Sequence, residues 1–429
     1  MKAKLYSLCT LLLFLSTFSL RAEAFFSGYA GIKSDIYSNP DSDDGDFDPM
    51  LCVQSYFAGQ LNLSRSFLVR GEFSVQTEDI FSSGVFNNTE AIFCINELSA
   101  TYVKPFLGNT QYISGFFGTF EPIGSDVFLQ RQFGMKPITS LLTESWLGLR
   151  GAYIYPFYGV GASYVIHFDQ KPIASGVYIY KNHADNDDDD DQINFDWRFA
   201  MTSSYLTVDF AAGIGFPLSH KYNGSDVILL IDTVYMHTGL EVLLGNRYRN
   251  SFFAQVGFEQ MPLKSSDDSN TLKDSEMYLL LEPRFTAKDC KIHLSFFNFP
   301  DSLLDEGNSD IAVKKLIFIE DNLGINLAIF TDNLYIRNKT IIFGLHTTLS
   351  FPDKYLFDLK IKSLDDVKSL FGIGDDDSST EYNVKISPFL TMPIMSGDLH
   401  VMLQANITDI KDDGWEKAVK LNIGYKAQL

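Results

Sequence analysis

Apolar and polar residues alternate along most of the chain from Phe25 onward. In the last run, one face carries apolar residues at alternate positions and the other carries mostly polar ones: Val419, Leu421, Ile423, Tyr425, Ala427 and Leu429 against Lys420, Asn422, Gly424, Lys426 and Gln428. Residues 67–76 and 193–201 repeat the pattern. A period of two is typical of β-strands, whose successive side chains point to opposite faces of a sheet. The pattern predicts an all-β chain with little helix.

Short turns and long polar connections separate these runs. Short turns are expected at residues 64–66, 245–250, 287–289 and 352–354, the last followed by a strand at 355–361. Longer connections are expected at residues 39–49, 183–192, 264–276 and 363–380. Short turns at one end and long loops at the other are typical of transmembrane β-barrels, whose turns face the periplasm and whose loops face the exterior.

The N-terminus resembles a secretory signal peptide that ends at residue 24. Lys2 and Lys4 supply its positive start, residues 5–20 are largely apolar, and Ala22 and Ala24 directly precede the expected cleavage site. Cleavage after Ala24 would leave 429 − 24 = 405 residues. The first strand-like run then begins at Phe25, which leaves no room for a periplasmic domain or an N-terminal plug. We therefore expect an exported protein of the outer membrane of a diderm bacterium.

The mature chain is predicted to be one antiparallel transmembrane β-barrel, residues 25–429. It has no apolar stretch near the roughly 20 residues of a spanning helix. At roughly 25 residues per strand with its share of loop, we expect about 16 strands, within a range of 14 to 18. A soluble β-sandwich or β-helix is the alternative. Strands of ten or more residues and 37 Phe and 21 Tyr, suited to lipid contact, favour the barrel.

Charge and cysteine content exclude several classes of partner. The formal net charge is −20, which argues against a nucleic-acid partner because Lys and Arg supply most of that affinity. Cys52, Cys94 and Cys290 are widely spaced and predict neither a disulfide framework nor a metal site. The acidic segments 41–48, 187–191 and 375–377 offer oxygen ligands for Ca²⁺, but solvated charge is the simpler interpretation. We expect no cofactor.

Catalytic motifs are missing from the sequence. His167, His237, His293 and His346 each lie in an alternating run, without a serine elbow of the GxSxG type or an HExxH motif. An inward histidine in a wet lumen usually lines the pore. The sequence therefore predicts a protein that is not an enzyme.

The C-terminal strand resembles the signal read by the barrel-assembly machinery of bacterial outer membranes. Asn422, Gly424, Ala427 and Leu429 occupy the polar, glycine, penultimate outward and terminal positions of that pattern. The terminal Leu429 departs from the usual Phe or Trp. The resemblance implies that this machinery and outer-membrane lipid are partners of the chain.

Residues 118–124, Gly-Thr-Phe-Glu-Pro-Ile-Gly, resemble the stretch of general and phosphate-selective porins that precedes an inward-folding loop. The loop would comprise residues 121–142, after an expected fifth strand at 111–120. The resemblance implies that its charged side chains constrict a pore: Glu121, Asp126, Arg131 and Lys136. Rings of such charges select permeating solutes. It also implies a homotrimer as one oligomeric state.

Three functions remain open at this stage. The first is a porin-like channel for passive diffusion of small hydrophilic solutes or ions. The second is a transporter of hydrophobic substrates of the long-chain fatty-acid type, which suits inward aromatic residues such as Phe253 and Phe297. The third is a surface adhesin or receptor whose long loops bind a partner.

Overall fold

The computed structural model describes residues 25–38, 48–77, 79–81, 91–143, 153–155, 158–182, 192–218, 220–222, 225–227, 234–262, 273–304, 319–336, 339–352, 354–356, 382–412 and 415–429. No helix among these residues is long and apolar enough to span a membrane. The signal peptide and the cleavage site after Ala24 lie outside the described residues.

Twenty strands make up most of the described chain. The first ten are β1 Phe25–Ser38, β2 Pro49–Ser64, β3 Phe67–Thr77, β4 Ala91–Phe106, β5 Asn109–Thr119, β6 Tyr158–Phe168, β7 Ile173–Asn182, β8 Gln192–Thr202, β9 Leu206–Pro217 and β10 His220–Tyr222. The others are β11 Ser225–Val227, β12 Tyr235–Gly245, β13 Ser251–Pro262, β14 Met277–Ala287, β15 Cys290–Asn298, β16 Leu323–Ile336, β17 Lys339–Phe351, β18 Asn383–Ile394, β19 Gly397–Asn406 and β20 Val419–Gln428. The helices are short: α1 Val127–Phe133, a 3₁₀ turn Asp274–Glu276, α2 Asp301–Leu304, α3 Ile407–Asp412 and α4 Trp415–Ala418.

Eighteen of the strands form one closed antiparallel sheet. Each pairs with its neighbours along the chain, and β1 pairs with both β2 and β20, so that Tyr29 lies opposite Gln428 and Ile36 opposite Leu421. Strands β10 and β11 form a separate hairpin in the connection between β9 and β12. Closure leaves no open sheet edge, which in lipid would cost several kcal/mol per unpaired backbone group.

The predicted barrel is confirmed. Its 18 strands lie at the upper limit of the expected range of 14 to 18, and the expected number of about 16 is wrong. With 18 strands, each accounts for 405/18, or about 22 residues, rather than the roughly 25 that we assumed. The difference arises because the turns at one end are very short, as at Ser64–Phe67, Ala287–Cys290 and Ile394–Gly397.

Connection lengths alternate around the barrel as predicted. The connections after β2, β4, β6, β8, β12, β14, β16 and β18 are short, and those after the intervening strands are long. One predicted hairpin, at residues 352–354, is wrong, because β17 pairs with β18 and Ser350 lies opposite Asn383. A long connection therefore begins at Pro352, and residues 357–381 lie outside the described residues.

The barrel wall separates an apolar outer face from a largely polar inner face. On β8, Phe195 and Trp197 point outward and are 49% and 48% exposed, whereas Asn194 and Arg198 point inward and are buried. The same division recurs on β5, β7, β17 and β20. A continuous apolar outer band matches a lipid environment. The lumen holds the rest of the buried residues and the site described below.

Candidate functional site: a polar cavity beside a loop inserted in the lumen

The connection between β5 and β6 turns into the lumen at the end of β5. Gly118 has φ +94°, and a Cβ there would lie 2.4 Å from the carbonyl oxygen of Asn96, so this position requires glycine. Glu121 also has a positive φ, of 48°. We call residues 120–143 the inserted loop, because its side chains and carbonyls contact inward residues of β4, β7, β8, β13 and β14.

Asp126 joins two parts of the inserted loop through hydrogen bonds. It lies in the left-handed region just before α1, and its Oδ2 accepts hydrogen bonds from the backbone N–H groups of Ile138 at 2.7 Å and Thr139 at 2.6 Å. Gly134, with φ +61°, ends α1. The carboxylate thus ties the two ends of the loop together and is itself buried.

One side of the inserted loop is apolar and packs tightly against the barrel wall. Its buried residues belong to the same cluster as wall residues of β12 to β14: Ile123, Phe128, Leu129, Ile138 and Leu142 with Leu243, Phe253, Tyr278 and Leu280. Gly257 on β13 gives the space for this contact, because a Cβ there would lie 2.3 Å from Cγ2 of Ile154, which belongs to the same connection. This side of the loop is a hydrophobic core inside the barrel.

Arg198 on β8 fixes the beginning of the loop. Its guanidinium pairs with Asp209 on β9, with Nε–Oδ1 at 2.9 Å and Nη2–Oδ2 at 2.5 Å. Nη1 donates to the backbone carbonyl of Glu121, and the guanidinium carbon lies 4.4 Å from the centre of the Phe128 ring. The Arg198–Asp209 pair therefore binds the loop through both a hydrogen bond and a cation–π contact.

Arg284 on β14 fixes the end of the loop in the same way. Its Nε donates to Glu282 at 2.7 Å, and its Nη1 donates to the carbonyl of Ile138 at 2.8 Å. The hydroxyl of Ser140 donates to Glu282 from the loop, and that of Ser295 donates from β15 at 2.6 Å. We call the Arg198–Asp209 and Arg284–Glu282 pairs the loop clamps.

The other side of the inserted loop carries a charged cluster. Nη2 of Arg131 donates to both carboxylate oxygens of Glu97 on β4, at 2.9 and 2.8 Å, and Nη1 donates to Glu121 at 3.2 Å. The Tyr178 hydroxyl donates to the second oxygen of Glu121 at 2.7 Å. Burial raises the pKa of the Glu121 carboxyl, and the charge of nearby Arg198 opposes that rise. One guanidinium is thus shared by two carboxylates.

A cavity of about 280 Å³ lies between this cluster and the wall formed by β2 to β6. Polar side chains predominate in its lining, which consists of Gln60, Leu68, Arg70, Ser99, Thr101, Tyr112, Ser114, Glu121, Gln130, Arg131, Gln132 and Val165. A second, narrower cavity of about 40 Å³ is lined by Glu121, Tyr155, Tyr178, Tyr180, Asp196 and Arg198, among others. The larger of these two cavities therefore lies on the β2–β6 side of the loop, and the packed apolar contact described above lies on the β12–β14 side.

The four predicted constriction residues occupy different places. Glu121 and Arg131 are near each other and line the cavity. Asp126 is turned into the loop, and Lys136 is exposed near its tip, where its carbonyl accepts a hydrogen bond from Arg247. The role of these residues in a passage stays a prediction.

Sequence reasoning missed the wall residues that meet the loop. Glu97, Arg198, Asp209, Glu282 and Arg284 each occupy an inward position of an alternating strand. In the sequence, the signal for such residues was a charged side chain at an inward position of an alternating run. It does not identify the partner, because that depends on the path of the loop.

Two of the histidines noted in the sequence contact carboxylates. His237 contacts Asp196 at 2.7 Å and His293 contacts Glu282 at 3.3 Å. Across the described ranges, no group of three or more His, Cys, Asp or Glu side chains is arranged to hold a metal ion. The acidic segments proposed for Ca²⁺ fall almost wholly outside those ranges.

The proposed assembly signal lies on the strand that closes the barrel. Asn422 of β20 is buried in the inner wall opposite Asp35, while Ala427 and Leu429 are at the short-turn end. The role of Asn422, Gly424, Ala427 and Leu429 in assembly stays a prediction.

Comparisons with known proteins find similarity among solved structures only. No family model matches the chain, and no curated protein matches its sequence. Among solved structures, it is similar to OccAB3 of Acinetobacter baumannii (8% identity, 94% of this chain and 99% of that one, TM-score 0.49). It is also similar to Wzi of Escherichia coli, described as a carbohydrate-binding β-barrel of the outer membrane (9%, 94% and 84%, 0.46), and to OprB of Pseudomonas putida (10%, 94% and 93%, 0.41).

These similarities are of overall fold. The solved structures that resemble this chain include outer-membrane proteins and a porin. The closed antiparallel barrel of this chain is established by its own strand pairing. At 8 to 10% identity, the three comparisons assign no solute or activity to this chain.

Proposed function

We propose that this chain is a porin-like channel that lets small hydrophilic solutes diffuse across a bacterial outer membrane. The observation that carries the proposal is the polar cavity between the inserted loop and the β2–β6 wall. Glu121 and Arg131 lie on its loop side and Arg70 on its wall side. Solutes would pass between these charges.

The architecture of the lumen supports a narrow, selective passage rather than a wide pore. Eighteen strands enclose a lumen of porin size, which is water-filled unless something occupies it. Here the inserted loop occupies one side with a packed apolar core. The space that is left is lined mainly by hydroxyl, amide and charged groups, and such groups replace part of the hydration shell of a polar solute.

The outer surface supports insertion in lipid. Exposed aromatic and aliphatic side chains cover the outward positions of strands all round the barrel. We propose that outer-membrane lipid contacts this band and that the barrel-assembly machinery reads β20. We also propose that the protein forms a homotrimer of the porin kind.

The inward aromatic residues do not favour a hydrophobic substrate. Phe253 lies beneath the guanidinium of Arg284, whose carbon is 4.4 Å from its ring centre. Phe297 stacks on Phe299 with ring centres 5.0 Å apart. Both are fully buried, so in this conformation they serve packing and do not line the large cavity.

Ion selectivity of the refolded protein tests the proposal. In planar bilayers, wild-type protein should give large, steady conductance steps. Arg131→Gln removes a positive charge at the cavity and should shift the reversal potential in a KCl gradient toward cation selectivity, whereas Arg249→Gln, in an exposed turn, should leave it unchanged. A folded barrel that is electrically silent would refute the channel.

A further inference from the structure

Arg70 differs in its partner from the other arginines of the lumen that the structure describes. Arg131, Arg198 and Arg284 each contact a carboxylate at 2.5–2.8 Å. Arg70 instead donates from Nη2 to the amide oxygen of Gln60, which is directly opposite on β2. Within the described part of the chain, no carboxylate oxygen lies within 4.0 Å of its guanidinium.

The guanidinium of Arg70 therefore has hydrogen-bond donors to spare. It carries five N–H donors in a rigid fork that matches the two oxygens of a carboxylate. Glu72 is the next inward residue along β3, and Glu121 lies across the cavity, so both attract the guanidinium through space without contacting it. A positive group in a partly enclosed cavity is a candidate binding point for an anion.

The wall next to Arg70 presents hydroxyl groups. Ser99, whose hydroxyl donates to Glu97 at 2.6 Å, is directly opposite Arg70 in the β3–β4 pair. Thr101 and Ser114 share a hydrogen bond of 2.9 Å across β4 and β5. Tyr112 lines the cavity beyond them. The oxygens of these hydroxyl groups keep acceptor capacity, so this surface matches a solute that donates from hydroxyl groups of its own.

We propose that the cavity is a binding site for a small hydroxylated carboxylate. The carboxylate contacts Arg70, and the solute's hydroxyl groups contact Ser99, Thr101 and Ser114. The volume of about 280 Å³, against about 30 Å³ for one water in the liquid, suits a solute of the size of gluconate. This inference rests on the proposed channel, since it names the solute that the channel favours.

The test compares gluconate with glucose, which have similar size and differ in the carboxylate. Proteoliposomes with wild-type protein should take up labelled gluconate faster than glucose, despite the negative charge of Glu121. Arg70→Gln should lower the gluconate-to-glucose ratio about tenfold, the loss expected for one charge-assisted hydrogen-bonding partner. Arg70→Lys should keep part of the ratio, and Arg249→Gln should keep all of it.

The outcomes separate this inference from the proposed function. If glucose and KCl still pass and Arg70→Gln leaves the ratio unchanged, the carboxylate site is refuted and the channel stands. If wild-type protein passes neither solute nor ions, the channel itself fails. Stronger competition against gluconate by inorganic phosphate than by acetate would overturn the carboxylate assignment in favour of a phosphate group.

Discussion

The two sides of the inserted loop use the same kinds of residue for different purposes. On the β8–β14 side, arginines and carboxylates pair with each other and hold loop carbonyls, and a narrow cavity of about 40 Å³ lies beside Arg198. On the β2–β6 side, Arg131 pairs with two carboxylates but Arg70 pairs with none, and a cavity separates them. Ion pairs therefore hold the loop to the wall on both sides, and on the β2–β6 side Arg70 has no carboxylate contact among the described residues.

The largest expected effect is on stability, from breaking a loop clamp. Arg284→Gln leaves Glu282 buried without its arginine, a change that costs about 3–5 kcal/mol when a buried pair loses one member. Arg70→Gln is the matched control, because it removes an arginine that has no carboxylate partner. Unfolding titrations with urea in lipid vesicles should show a large loss for the first variant and little change for the second.

Equal losses in the free energy of unfolding for the two variants would contradict the difference between the two sides of the loop. They would mean that Arg70 also supports the fold, so that the two walls do not differ in the way described. Conductance gives a second measure, since a loosened loop should make the Arg284→Gln current noisier.

A smaller effect is expected from filling the space beneath the loop. Gly257→Ala places a methyl group against Ile154 and the carbonyl of Thr238, both at 2.3 Å, and overpacking of this kind costs about 1–3 kcal/mol. Gly115→Ala is the control, because a Cβ there meets nothing within 4 Å. The difference in the free energy of unfolding between the two variants measures how tightly this side is packed.

The smallest expected effect is a pH dependence of ion selectivity. Burial raises the pKa of Glu121, which lies in the connection after β5. As pH falls through this raised pKa, Glu121 becomes neutral and the cavity loses a negative charge, so cation selectivity should fall. Above it the carboxylate is charged and selectivity should be constant. Glu121→Gln should remove this dependence, and a profile identical to wild type would assign the titration to another group.

Much of the fold follows from the sequence because a barrel wall imposes one apolar and one polar face on every strand. The pattern of residues 193–201 was enough to place Trp197 outward and Arg198 inward. It was not enough at residues 352–354, where a turn signal between alternating runs begins a long connection instead of a hairpin. Alternation identifies strands, but hydrogen-bond pairing decides their neighbours.

The candidate site was predictable in part. The glycine and proline pattern of residues 118–124 indicated where the chain turns inward, and it led to Glu121 and Arg131. It did not separate these from Asp126, whose side chain folds back on Ile138 and Thr139. The local backbone decides whether a charged side chain of the loop faces the wall or forms hydrogen bonds within the loop. Residue type alone does not determine this.

Cysteine accessibility shows whether solutes pass through the cavity or along the packed side of the inserted loop. In a protein with Cys52, Cys94 and Cys290 replaced, Leu68→Cys places a thiol at the cavity and Leu280→Cys places one in the packed side. A charged methanethiosulfonate reagent should reduce the current through the first variant and leave the second unchanged. Modification of Leu280→Cys with no block of Leu68→Cys would place the passage on the other side of the loop and contradict the account.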